Sequence, residues 1–268
     1  MADGIRTCEP GALLRWPRLF LSNEPLIVCP IDDALIFGPT AGLERIDRMT
    51  RMIAAGQPDA ILTFAGHVAR APVDFVGVPV LVNCTASLVG RSHTQKVAVS
   101  SVGEALRVGA AGVAFHLNVG SRHEPAMLEL AGSIVEEARA KGLATLGIIY
   151  PRSESNAGDD NYEALKADDP AAFAALVTRC VAIGAQLGCS AIKTKYTGSI
   201  ETFRPACSVA DDVAVLIAGD ARKRESESIQ MAIDAVRAGA RGVSFGRNVF
   251  GRTDPAAFIR MLRAALGE

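Results

Sequence analysis

The sequence predicts a single-domain (β/α)8 TIM barrel, an α/β fold, on three observations. Eight short apolar runs alternate with helical patterns from one end of the chain to the other. No second composition interrupts them. The 268 residues suit one domain of this kind. An open doubly wound sheet is the alternative reading of the same alternation. The expected strands are residues 26–31, 60–64, 79–83, 112–117, 143–149, 190–193, 213–217 and 242–245. Each is short and rich in Val, Ile, Leu or Ala, as parallel strands buried on both faces are.

The clearest helical segments are residues 43–55, 127–141, 170–187, 226–238 and 255–266. Leu43, Ile46, Met49 and Ile53 recur at helical spacing in the first. Asp169-Pro170 and Asp254-Pro255 are start signals: an aspartate to cap the free N–H groups, then a proline that fits the first turn. Gly56, Gly109, Gly142, Gly188 and Gly239 stand where helices should end. Residues 1–24 precede the first strand and are expected to cap the bottom of the barrel.

Composition narrows the function. A chain with 49% hydrophobic and 21% charged residues is not a disordered one. A net charge of -1 and a pI near 6.4 give no basic footprint for nucleic acid. No apolar run reaches the roughly 20 residues that span a bilayer, and residues 1–16 lack the apolar stretch of a secretory signal. Cys8, Cys29, Cys84, Cys180, Cys189 and Cys207 form no C-x-x-C pair, which suits reduced thiols. His67, His93, His116 and His123 lack metal-ligand spacing. The expectation is a cytoplasmic protein with a small-molecule substrate, no metal, no cofactor, no nucleic-acid partner and no membrane contact.

In such a barrel, chemistry sits at the C-terminal ends of the strands. Lys193 follows the apolar run Ser190-Ala191-Ile192, so its amine should leave the sixth strand near the barrel axis. Strand periodicity places Lys195 on the same face, and two nearby ammonium groups would lower each other's pKa. A neutral amine attacks carbonyls; the alternative is a surface lysine reaching past the strand end. Tyr150, one strand away, could move a proton to and from a substrate hydroxyl, or simply lie half-buried. Asp32 ends the first strand, as a base or lysine partner on one reading and as a turn or cap on the other, and Asp33 after it adds a carboxylate to the substrate-binding pocket. His116 could point into the barrel as a binding group, although a satisfied core histidine gives the same pattern. After the seventh and eighth strands, Gly219 and Gly246 with Arg222, Lys223 and Arg247 suit a phosphate held by backbone N–H groups and basic side chains. Residues 155–161, with Asp159 and Asp160, read as a long polar loop.

These segments carry a resemblance. Ala191-Ile192-Lys193-Thr194-Lys195-Tyr196-Thr197-Gly198 resembles the Schiff-base strand of the archaeal-type class I fructose-bisphosphate aldolases of the DeoC/LacD superfamily. That group includes aminodideoxyheptulosonate synthases and the autoinducer-2 phosphate thiolase. Residues 115–121, Tyr150-Pro151-Arg152 and Gly246-Arg247-Asn248-Val249-Phe250 resemble its other motifs in the same order. The resemblance implies that Lys193 forms the Schiff base, Tyr150 is the acid/base, Asp32 is the strand-one aspartate, and Gly219, Gly246 and Arg247 hold phosphate. It implies a metal-independent aldolase acting on a ketose or ketose phosphate, and a homo-oligomer. A transaldolase- or thiolase-like transfer enzyme, or a barrel that isomerises or binds a sugar phosphate without covalent chemistry, are the rival readings. Two departures matter. Asp33-Ala34 replaces the usual His or Gln and Gly, and Asp220 replaces a second glycine after strand seven. Arg222 and Arg247 would offset Asp220, or it turns away, or it selects a ligand other than a standard sugar phosphate.

Overall fold

The computed structural model describes residues 8–38, 40–88, 93–155 and 158–267. Eight parallel strands close into a barrel: β1 (Leu26–Pro30), β2 (Ala60–Thr63), β3 (Val80–Asn83), β4 (Gly112–Val119), β5 (Ala144–Pro151), β6 (Ala191–Thr194), β7 (Ala214–Ala218) and β8 (Gly242–Ser244). Each strand pairs with its sequence neighbours, and β8 closes on β1 through Leu26 with Gly242 and Val28 with Ser244. The closed ring excludes the open-sheet alternative. A helix of the outer layer follows each strand: Ile46–Ala54, Ala65–Arg70, Val102–Arg107, Glu124–Ala140, Pro170–Leu187, Ile200–Ser208, Glu225–Ala238 and Pro255–Gly267.

The period of two along each strand sorts the core into two layers. Ile27, Cys29, Ile61, Val113, Phe115, Ile192, Val215 and Val243 face outward and pack under the helices. Leu26, Val28, Leu62, Leu81, Ala114, Leu146, Ile148, Ala191 and Leu216 belong to the inner cluster. Trp16, between helices Pro10–Arg15 and Pro17–Leu21, and Leu19 and Phe20 of the second join the same inner cluster. Residues 1–7 of the expected 1–24 cap lie outside the described residues. Asp59 ties this end together. Its buried carboxylate accepts the Ile27 N–H at 2.7 Å and pairs with Arg18 at 2.5 Å and Arg263 at 2.9 Å.

Two expectations need correction. Strands four and five run two residues further than their apolar runs, so Asn118 pairs with Tyr150 and Val119 with Pro151 in register. The sequence pattern stops at the last aliphatic residue, whereas the ladder continues while backbone partners face each other. The polar stretch 155–161 is also less irregular than expected. Ser153–Ser155 and Gly158–Asp160 form a short antiparallel pair, and residues 156–157 lie outside the described residues.

Candidate active site

Continuing the inward alternation past the apolar layers delivers the polar groups. Ala114 leads to His116, Ile148 to Tyr150, Ala191 to Lys193, Leu81 to Asn83, and Val28 through Pro30 to Asp32. These side chains meet at the C-terminal mouth. A cavity of about 630 Å³ there is lined by Asp32, Asp33, His116, Tyr150, Lys193, Lys195, Gly219, Asp220, Gly246 and Arg247. Of the expected site residues, only Arg222 is elsewhere. It lines a neighbouring cavity behind the Gly251 turn, while Ala221 and Lys223 face the mouth. Lys223, not Arg222, therefore brings the charge of that loop to the mouth.

Lys193 is half-buried on β6, flanked by Ile148 on β5 and Leu216 on β7. Its amine pKa is lowered, first by burial, which penalises the ammonium. Asp32 and Asp33 oppose that effect, and Arg247 adds to it. Mutual depression by Lys195 is not the cause. Lys195 is buried in an ion pair of its own, with Glu163 at 3.0 Å and Asp220 at 3.2 Å. The same pairing answers the Asp220 question. Lys195 offsets its charge rather than Arg222 or Arg247, and Asp220 takes the left-handed backbone (φ 53) open to a short polar side chain.

Asp32 precedes the short helix Asp33–Phe37, yet its side chain makes no capping bond to it. Instead Asn83 Nδ2 donates to Asp32 Oδ2 at 2.7 Å, and the residue, 5% exposed, lines the cavity. Asp33 has its carboxyl pushed up to about 6 by burial and then by Asp32, with Arg247 and Lys193 pulling it back. Arg247 Nε stands 3.8 Å from Asp33 Oδ2. Above pH 6 an ionised Asp33 favours the Lys193 ammonium. Asp33→Asn removes that charge and releases Arg247, and both changes favour the neutral amine. The pH limb of imine formation is therefore expected to move to lower pH, measured as the pH dependence of hydride trapping at Lys193. An unmoved limb contradicts the coupling.

Tyr150 is half-buried at the mouth, and burial above all pushes its phenol well above the ordinary range. It is therefore a protonated group at neutral pH, able to donate. The Arg152 guanidinium lies 5.8 Å from its ring centroid and donates to Asn161 Oδ1 at 2.7 Å. His116 is held neutral by burial and then by Lys96 and Lys193. Its backbone N–H donates to Thr85 Oγ1 at 2.8 Å, and its Nδ1 lies 3.3 Å from the same hydroxyl.

Asn248 joins the seventh and eighth loops. Its amide donates to the Gly219 carbonyl at 2.7 Å and accepts from Lys223 N–H at 2.8 Å and Ser228 Oγ at 3.0 Å. A Cβ on Gly219 would sit 2.6 Å from that amide nitrogen, so glycine is needed for the close approach. Asn248→Ala leaves these buried groups unpartnered and is expected to cost about 2–4 kcal/mol of stability. Chemical denaturation checks this. A variant as stable as the parent contradicts it.

Sequence reasoning missed several lining residues. Ser244 is one: its buried hydroxyl has no partner among the described residues and lines the cavity. Inward alternation on β8, between Gly242 and Gly246, was the signal. Lys96 and His93, on the long connection after β3, and Glu163 and Lys166, ahead of the fifth outer helix, had no periodic signal.

The fold and the site define a barrel aldolase, with an amine on the inner strand face beside paired carboxylates. The chain belongs to the DeoC/LacD family aldolases, which residues 26–252 match. It is 32% identical over 250 residues to the 2-amino-3,7-dideoxy-D-threo-hept-6-ulosonate synthase of Halobacterium salinarum, covering 92% of this chain and 88% of that protein. It is 31% identical over 241 residues to the 2-amino-4,5-dihydroxy-6-oxo-7-(phosphonooxy)heptanoate synthase of Streptomyces griseus, covering 89% and 84%. Among solved structures, an archaeal fructose-1,6-bisphosphate aldolase with its catalytic lysine bound to the carbinolamine intermediate of its substrate superposes with a TM-score of 0.82. The identity is 25%, over 96% of this chain and 100% of that one.

Proposed function

We propose that this chain is a metal-independent class I aldolase that makes or breaks a carbon–carbon bond through a Schiff base on Lys193. The donor is a ketose or ketose phosphate resembling dihydroxyacetone phosphate, and the acceptor is an aldehyde. The observation that carries the reading is Lys193 itself: an inward-facing amine whose charged form is disfavoured by burial, set among Asp32, Asp33 and Arg247. The likeness to an archaeal aldolase whose catalytic lysine is bound to its substrate supports it.

The neutral Lys193 amine adds to the ketone carbon, and the carbinolamine loses water to give an iminium. Asp32, oriented by Asn83, assists that dehydration. The iminium draws electrons from the adjacent carbon, which gives up a proton. The enamine left behind adds to the aldehyde carbon, and the new alkoxide takes a proton. Water then returns the product ketone and the free amine. Tyr150 carries the proton at the carbon–carbon step, a role suited to a phenol that stays protonated until it acts. Gly219, Gly246 and Arg247 receive the donor phosphate, helped by Lys223. The Streptomyces griseus relative is named for a ketone bearing a phosphonooxy group, which fits a phosphorylated donor.

Borohydride with dihydroxyacetone phosphate tests the reading. Reduction should add the donor's mass to the peptide containing Lys193, and protein left unmodified by a ligand shown to bind contradicts it.

A further inference from the structure

Arg222 has no place at the mouth, and the cavity that it does line is a basic one. That cavity, of about 560 Å³, lies between helix Ile46–Ala54 and the loops after β7 and β8. Arg45, Arg48, Arg222, Arg247 and Arg252 line it, against a single carboxylate among the described residues, Glu44. Glu44 is turned to its own loop, where its Oε2 accepts the Gly42 N–H at 2.9 Å. Gly42 has φ 92, and a Cβ there would overlap the Phe250 carbonyl. The loop therefore packs directly on the short helix Arg247–Phe250, and both line the cavity.

The guanidinium groups are short of counter-ions. Arg45 pairs with Asp47 at 3.3 Å, and Arg247 stands 3.8 Å from Asp33. Arg252 donates to neutral partners, the Asn248 and Lys223 carbonyls, at 3.0 Å each. Its pKa is lowered first by burial and then by Arg222, so the two cations repel each other. Among the described residues no carboxylate lies within ion-pair distance of the Arg48 or Arg222 guanidinium. A ligand that brings negative charge would relieve this repulsion, and a guanidinium meets phosphate oxygens with two parallel N–H bonds. Much of the remaining lining is apolar, with Met49, Met52 and Phe250. Flat rings pack well on thioethers and on guanidinium faces, and the volume suits a small ligand.

We propose that this outer cavity binds a nucleotide-like anion, a flat ring joined to two or more phosphate charges, and that its occupant regulates the donor site through Arg247. Arg247 lines both cavities. An anion in the outer one draws the guanidinium away from Asp33 and from the donor phosphate, so the donor binds less tightly. The binding site stands apart from the Schiff-base reading of Lys193, whereas its effect on the donor rests on that reading. Calorimetry on the full chain with ADP as probe, against pyrophosphate and adenosine, tests the site. ADP should bind once per chain and more tightly than pyrophosphate or adenosine alone. Arg48→Gln combined with Arg222→Gln should weaken ADP binding at least about 10-fold, while keeping the parent's unfolding midpoint and its KM for dihydroxyacetone phosphate. ADP should raise that KM in wild type and far less in the double variant. No ADP binding, or equally tight binding in the double variant, overturns the site, and the second result places ADP at the mouth. Pyrophosphate bound as tightly as ADP overturns the ring-bearing class of ligand. ADP bound as expected with KM unmoved overturns the coupling through Arg247. Absence of hydride trapping in wild type removes the Schiff-base reading and leaves the calorimetry to decide the site.

Discussion

Lys193→Ala is expected to abolish hydride trapping of dihydroxyacetone phosphate and to lower kcat by at least about four orders of magnitude, with the fold retained. The size follows from the role. No other amine at the mouth leaves the inner face of a barrel strand as Lys193 does, and Lys223 lies on the loop after β7. Lys195 is held by Glu163 and Asp220, and Lys166 donates to the Tyr196 carbonyl at 2.9 Å. Lys96 stands across the ring. The substitution also removes a positive charge that Asp33 relies on, so the Asp33 carboxyl should rise further. Lys193→Arg separates charge from chemistry. It restores the positive charge near Asp32 and Asp33 but supplies no neutral amine, because guanidinium stays protonated. Both variants should bind donor and neither should trap it. Aldol turnover in either one, measured with purified protein, contradicts the assignment.

Tyr150→Phe is expected to slow the carbon–carbon step about 10²- to 10⁴-fold while leaving trapping at Lys193 in place. The ring can keep its packing beside Ile148 and under Arg152, so only the hydroxyl is lost. The phenol stays protonated across the neutral range, because burial and the carboxylates of Asp220 and Asp32 oppose its ionisation more than Arg152 and Arg247 favour it. It should therefore add no ionisation of its own to the pH–rate profile below the alkaline range. The decisive comparison is between two readouts on one variant. Trapping reports imine formation, and turnover reports the later proton transfer. Equal loss of both would move Tyr150 out of the proton-transfer role and into donor binding.

Much of the barrel can be read from residues because its signal is local and repeated. Runs such as Leu26 to Pro30 and Ala214 to Ala218 are buried on both faces, so every position is apolar and the strand stands out. The inward set at the mouth follows from the period of two once the strands are placed, which is why Lys193, Tyr150 and His116 were legible. Long-range ion pairs were not. Lys195 meets Asp220 and Glu163 from different loops, and nothing in their spacing announces it. Arg222 was misplaced for a related reason. Its orientation depends on how Asn248 grips Gly219 and Lys223, a tertiary contact across two loops. Lys96 sits in the connection before Val102–Arg107, where the strands among the described residues are the two-residue Thr85–Ala86 and Val97–Ala98, too short to leave a pattern. The helices Ala65–Arg70, Val102–Arg107 and Ile200–Ser208 leave little periodic signal, because the first two are shorter than two turns and the third is under three. Ser101 and Ser199 do cap the latter two through Glu104 and Thr202 N–H groups.

The proposed chemistry depends on a bond forming at one atom. A crystal soaked with dihydroxyacetone phosphate and frozen during turnover would show it. The expected map has continuous density from Lys193 Nζ to the ketone carbon, with the Tyr150 hydroxyl facing the adjacent carbon. Donor bound at full occupancy beside an unmodified Lys193, or bonded to a different amine, would contradict the proposal.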